Sequence, residues 1–188
     1  MGAPYNGSAI TALPSTTLET EVHMSTRIIN IDSVELHPLP PEYAPAGDAA
    51  TRFEPRIGML GRRLGALKLG YNVIALAPGK RAFPFHNHRV NEEMFFVLSG
   101  QGEVRIGDTR HPIRAGDVIA CPAGDTRTAH QIVNSGDQEL RYLAISTQQS
   151  PEICEYPDSS KYSTMIDGPD GFRAIGLSGK SAGYWDGE

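Results

Sequence analysis

Three histidines and a glutamate are the residues of this chain best suited to chemistry. His86 and His88 flank Asn87, Glu93 follows five positions after His88, and His130 lies further on. In an extended strand, residues i and i+2 share a face, so the imidazoles of His86 and His88 project together. A turn through Arg89–Glu92 sets the apolar stretch Glu93–Leu98 beside them, with Glu93, Phe95 and Val97 on one face. Three neutral imidazoles and one carboxylate make a coordination shell for a borderline divalent cation. Four protein ligands leave up to about two open positions on an octahedral metal, which suits Fe, Mn, Ni or Co; Zn is accommodated with about four or five ligands. Glu92 offers the same group as Glu93, but from the opposite face of the strand.

The elements that must position these residues are short strands. Apolar stretches recur at Leu67–Ala77, Glu93–Leu98, Glu103–Ile106, Asp117–Cys121, His130–Val133 and Leu140–Ser146. Each is closed by Gly, Pro or Asp, as at Pro78-Gly79, Ser99-Gly100 and Pro122-Ala123-Gly124. That rhythm predicts an antiparallel sandwich or barrel over residues 66–150. With 20 Gly and 14 Pro, and no long stretch of 3.6-residue period, a helix bundle is excluded. Residues 27–65 carry Pro38, Pro40, Pro41, Pro45 and Pro55 and read as an extended arm packed on the body. Within the arm, residues 27–37 offer an edge strand, and Asp48 is placed to cap one helical turn over Ala49–Phe53. Residues 1–26 read as a flexible leader, with His23-Met24 also readable as a cloning junction before a native start at Met24. Residues 151–188 read as an irregular tail whose Tyr184 and Trp185 need the barrel or a partner subunit to cover them.

The wider spacing carries a family resemblance. Gly79, His86, His88, Glu93 and Gly100 form one motif; Gly116, Pro122, Gly124, His130 and Asn134 form a second. Together they resemble the two motifs of the cupin superfamily. The resemblance implies an all-β fold, a single double-stranded β-helix or jelly-roll barrel. It implies His86, His88, Glu93 and His130 as ligands of one divalent metal, and it selects Glu93 over Glu92 because Glu93 stands seven before Gly100. Two departures stand out. The first motif has one extra residue between Gly79 and His86. The second has five residues, Asp125–Ala129, where two are usual, which puts Arg127 at the customary ligand position. Protonated Arg does not ligate a cation, and Asn134 follows His130 at the expected interval, so His130 is the reading taken. The longer loop and the segment Pro151–Asp158 also resemble small single-domain bacterial cupins named as sugar-phosphate isomerases.

Composition narrows the function class. The formal net charge is −5 with no basic cluster, and no helix-turn-helix is evident, so nucleic acid is not an expected partner. No apolar run is long enough for a transmembrane helix. Two cysteines, Cys121 and Cys154, exclude a disulfide framework; with no secretory signal they point to the cytoplasm, and Asn6-Gly7-Ser8 is discounted as a glycosylation acceptor. Cys121 reads as a small buried hydrophobe, and His37 and His111 as surface residues. Gly179–Gly183 matches a nucleophile elbow in letters but lacks the preceding strand and the following helix. Phe95, Val97 and Arg127 are the candidate pocket-lining residues. The expectation is a metal-dependent isomerase, lyase or dioxygenase acting on a sugar, sugar phosphate or oxo/hydroxy acid, working as a homodimer. A non-catalytic small-ligand-binding or sensing cupin is the alternative.

Overall fold

The computed structural model describes residues 27–188. The leader, Asn6 and the His23-Met24 junction lie outside the described residues. Thirteen strands follow one another: β1 His37–Pro38, β2 Arg56–Met59, β3 Leu69–Leu76, β4 Asn87–His88, β5 Glu93–Ser99, β6 Gln101–Ile106 and β7 Thr109–Arg114. The series continues with β8 Val118–Cys121, β9 His130–Val133, β10 Leu140–Thr147, β11 Glu152–Tyr156, β12 Lys161–Ile166 and β13 Phe172–Leu177. They build three antiparallel sheets, in the orders β1-β2-β3-β10-β5-β8, β7-β6-β9 and β13-β12-β11-β4. The protein is a jelly roll with the six-stranded and three-stranded sheets sharing one core.

Period-two alternation sends one residue set inward. Ile74, Tyr142 and Val97 face one another across β3, β10 and β5, and pack with Val104 and Ile132 of the smaller sheet. Burying each such side chain stabilises the fold by about 1.5–3 kcal/mol. One step along the strands the row becomes Asn72, Ala144, Phe95 and Ile119; one further it becomes Gly70, Ser146, Glu93 and Cys121. The inner face therefore grades from apolar to polar, and Glu93 sits at its polar end. The β5–β6 turn holds this register through Gly100, whose φ is +80° and whose missing Cβ would meet Glu139 O at 2.4 Å.

The arm covers the outer face of the six-stranded sheet, where Val34, Leu60 and Val73 form a second cluster. Its local details differ from the sequence reading. The edge strand shrinks to His37–Pro38, paired with Ile57 and Arg56, after a 3-10 turn over Ile31–Ser33. The helical turn forms at Asp48–Arg52, but Gly47 occupies the cap position and Asp48 is the first helical residue.

The tail expected to be irregular is so only over residues 178–188, where Tyr184 and Trp185 are exposed. Residues 152–177 form three strands that extend β4 into a four-stranded sheet. The Asp167–Gly171 cluster is the turn of the β12–β13 hairpin, and Pro157–Ser159 form the 3-10 turn between β11 and β12. Strand β7 is also additional to the expected set. It contains Pro112, which lacks an N–H for a ladder, and it is tolerated because β7 is the edge of its sheet.

Candidate metal centre

Strand β5 delivers Glu93 to the inner face, and backbone pairing brings the histidines to it. His86 and His130 form an isolated antiparallel bridge: His130 N–H donates to His86 O at 2.8 Å, and His86 N–H donates to His130 O at 3.2 Å. His88 is placed by β4, which pairs with β11 rather than with β5 as the sequence reading had it. Gly124 N–H donates to His88 O at 2.8 Å, and a Cβ on Gly124 would lie 2.7 Å from the Thr128 side chain, so the second-motif glycine permits this close approach.

Three ring nitrogens surround one carboxylate oxygen. From Glu93 Oε2, His130 Nε2 lies at 2.9 Å, His88 Nε2 at 3.4 Å and His86 Nε2 at 3.7 Å. The potential donor atoms of His86, His88 and Glu93 all lie within 4.8 Å of one another. The opposite ring nitrogens are occupied. His86 Nδ1 donates to Pro84 O at 2.8 Å, and His130 Nδ1 to Thr128 O at 3.3 Å. His88 Nδ1 faces Cys154 Sγ at 3.2 Å and Glu152 Oε2 at 3.4 Å. Once Nδ1 carries the proton, Nε2 of a neutral imidazole presents a lone pair.

This arrangement fits a cation. A lone pair on His130 and a carboxylate oxygen at 2.9 Å repel unless a positive charge, proton or metal, lies between or beside them. His88 Nε2 is buried and makes no hydrogen bond, an unmet demand that a metal would satisfy. Burial opposes charge on the Glu93 carboxyl, but the three imidazoles, His130 foremost, hold it well below the usual carboxylate range. Burial lowers His86 and favours the neutral, ligating form; burial also opposes charge on His88, but its contacts with Cys154 and Glu93 push it up to about 11, so this ring holds a positive charge beside Glu93 when no metal does.

Glu93, His86 and His130 open into a cavity of about 190 Å³ whose other walls include Asn72, Phe95, Gln131, Tyr142 and Ser146. Phe95 lines it. Val97 does not; it is wholly buried in the core one row away. Arg127 lies outside the cavity lining as well: exposed on its loop, its guanidinium pairs with Asp125 at 2.9 Å, and the same contact holds Asp125 down at about 2. Cys121 is buried, and burial pushes its thiol up to about 12, which suits packing rather than nucleophilic attack. His37 and His111 are exposed.

Glu152 is the site residue that the sequence reading missed. It is buried, and its carboxylate accepts from the backbone N–H groups of Arg89, Val90, Asn91 and Ile153 and from the Asn91 side chain. It thus fixes the turn between His88 and Glu93 while facing the His88 ring. No spacing rule within the histidine motif points to it.

A jelly roll with imidazoles and a carboxylate gathered at the polar end of its inner face is the architecture both sequence motifs imply. The family model for the cupin domain matches residues 72–146, which span β3 to β10. Protein SchB of Streptomyces halstedii is 32% identical over 117 residues, 62% of this chain and 74% of that protein. The chain belongs to the cupin family. The oxalate-binding protein of Thermotoga maritima is 33% identical over 70 residues, 37% of this chain and about half (54%) of that relative's length. Among solved structures, a cupin-superfamily sugar phosphate isomerase from Silicibacter pomeroyi superposes with a TM-score of 0.68 at 25% identity, over 82% of this chain and 97% of that one. No helix among the described residues is long and apolar enough to cross a membrane.

Proposed function

We propose that this cupin is a mononuclear metalloenzyme whose metal, Fe, Mn, Ni, Co or Zn, is held by His86, His88, Glu93 and His130. The observation that carries the reading is the convergence of three Nε2 atoms on Glu93 Oε2, with His88 Nε2 buried and without a hydrogen bond. When bound, a divalent cation there supplies Lewis-acid polarisation to a carbonyl, hydroxyl or carboxylate oxygen of the substrate. The chain supplies the rest. Phe95 and Tyr142 exclude water from one side, while Asn72, Gln131 and Ser146 offer polar groups that orient a small molecule. No lysine or arginine lines this cavity, so a phosphate would find no cationic side chain inside it. An oxo or hydroxy compound that engages through oxygen fits better than a sugar phosphate. Isomerisation, lyase chemistry and dioxygen insertion are all within reach of such a site.

One observation favours a second reading, a cupin that captures a ligand without turnover. Among the described residues, the titratable side chains lining the cavity are His86, Glu93, His130 and Tyr142, and burial together with the Glu93 charge pushes the Tyr142 phenol upward, away from use as a base. The Thermotoga relative named for binding oxalate is consistent with that reading.

Elemental analysis of the purified protein tests the metal. The expected result is about one divalent cation per chain in wild type and none in the His86→Ala/His88→Ala variant. A wild type that is metal-free and takes up none of Mn, Fe, Co, Ni or Zn on reconstitution overturns the proposal. Mixing metal-loaded protein with oxalate and with small 2-oxo and 2-hydroxy acids, followed by product analysis, separates turnover from capture.

A further inference from the structure

A second cavity, about 420 Å³, shares the strip Ala82–Pro84 and Gln131 with the metal cavity and differs from it in charge. Its remaining walls come from Arg81 and Phe85 at either end of that strip, the arm, β12 and the turn before it. Arg52, Arg81 and Lys161 face it, and among the described residues Asp158 is its only acidic residue. Asp158 is already neutralised: Arg105 Nη1 donates to both of its carboxylate oxygens, at 2.8 and 3.0 Å. Among the described residues, none of Arg52, Arg81 and Lys161 forms an ion pair or a side-chain hydrogen bond with a carboxylate. A chain with a net charge of −5 has therefore collected three uncompensated cations around one concavity.

Like charges facing a partly dehydrated space repel, and an anion placed among them removes that repulsion. The rest of the lining is aromatic, with Tyr43, Phe53, Phe83 and Phe85. The volume suits a small organic molecule rather than a bare ion. We infer that this cavity binds a small organic anion, with its carboxylate or phosphate head among Arg52, Arg81 and Lys161 and an apolar or planar body against Tyr43, Phe53 and Phe83. The site is separate from the metal cavity and does not need a metal.

Calorimetric titration of the full chain at low salt tests this with three probes that share one ring: benzoate, phenyl phosphate and benzyl alcohol. At least one anion binds, and benzyl alcohol binds at least about tenfold more weakly. The better of the two anions identifies the head group as carboxylate or phosphate. Arg81→Gln with Lys161→Gln weakens the anion by about tenfold or more, while Arg81→Lys with Lys161→Arg stays within about threefold of wild type. The His86→Ala/His88→Ala variant binds the anion as wild type does, so a failed metal proposal leaves this one standing. The inference is overturned if neither anion binds, if the neutral probe binds equally well, or if the charge-removing variant is unaffected. It is also overturned if binding disappears in His86→Ala/His88→Ala, because the anion would then sit in the metal cavity.

Discussion

Two glutamates, Glu93 half-buried and Glu152 buried, flank the same imidazole and serve opposite ends. Glu93 lies 3.4 Å from His88 Nε2, and Glu152 lies 3.4 Å from His88 Nδ1. The Glu152 carboxylate is saturated by four backbone N–H groups and an amide, all from the turn after His88 or its own strand. Glu93 accepts no backbone N–H among the described residues and faces only imidazole nitrogens. A carboxylate saturated by backbone donors fixes structure; one that faces only imidazole nitrogens needs a proton or a metal ion between itself and the rings. The identity of their partners tells the two apart.

The comparison breaks most visibly under substitution. Glu152→Ala strands several buried N–H donors and should lower the unfolding free energy by about 3 kcal/mol or more, read by urea denaturation of the metal-free protein. Glu93→Gln should leave metal-free stability within about 1 kcal/mol of wild type and cut metal affinity by about a hundredfold or more. If the two variants lose stability equally, the distinction fails. Acid sharpens it next. Burial raises the Glu152 carboxyl, but Asn91, Ile153 and His88 lower it further, leaving it below the ordinary 4.5. The native state then binds fewer protons than the unfolded chain, so this stabilisation is present above about pH 4.5 and is lost as pH falls below it. Unfolding followed from about pH 6 to pH 3 should show that slope in wild type and a shallower one in Glu152→Gln; equal slopes would refute the assignment. The smallest effect belongs to Arg127→Ala, which should leave both metal affinity and the unfolding midpoint unchanged, since its guanidinium is solvated and pairs within its own loop.

The difference between the glutamates also marks what the sequence discloses. Glu93 is legible because it lies on a patterned strand a few residues beyond His86 and His88. The position of Glu152 follows from the pairing of β4 with β11, a contact between segments more than sixty residues apart that no local pattern encodes. The core strands are legible from alternation, as in Phe95, Val97, Tyr142 and Leu140. Strand β7 is hidden because Pro112 interrupts it, and only its edge position makes that proline acceptable. The C-terminal strands are hidden behind the Gly, Asp and Pro of Asp167–Gly171, which suggest irregular chain when read alone and form a hairpin turn once Lys161–Ile166 and Phe172–Leu177 align. Arg127 is legible as a loop residue, but its capture by Asp125 two positions earlier is a matter of loop geometry.

The reciprocal backbone pair between His86 and His130 has a consequence for how such a chain can diverge. It acts as a clasp that sets the separation of two motifs without reference to the residues leading into either. The lengthened stretch Asp125–Ala129 runs directly into that clasp, folded by its own turns, with Thr128 N–H donating to Asp125 O and Ala129 N–H to Thr126 O; a change of length at Arg127 would leave the clasp itself in place. Loop length thereby becomes a variable that lineages can change outside the cavity, with the backbone pairing of the two histidines held constant beside it.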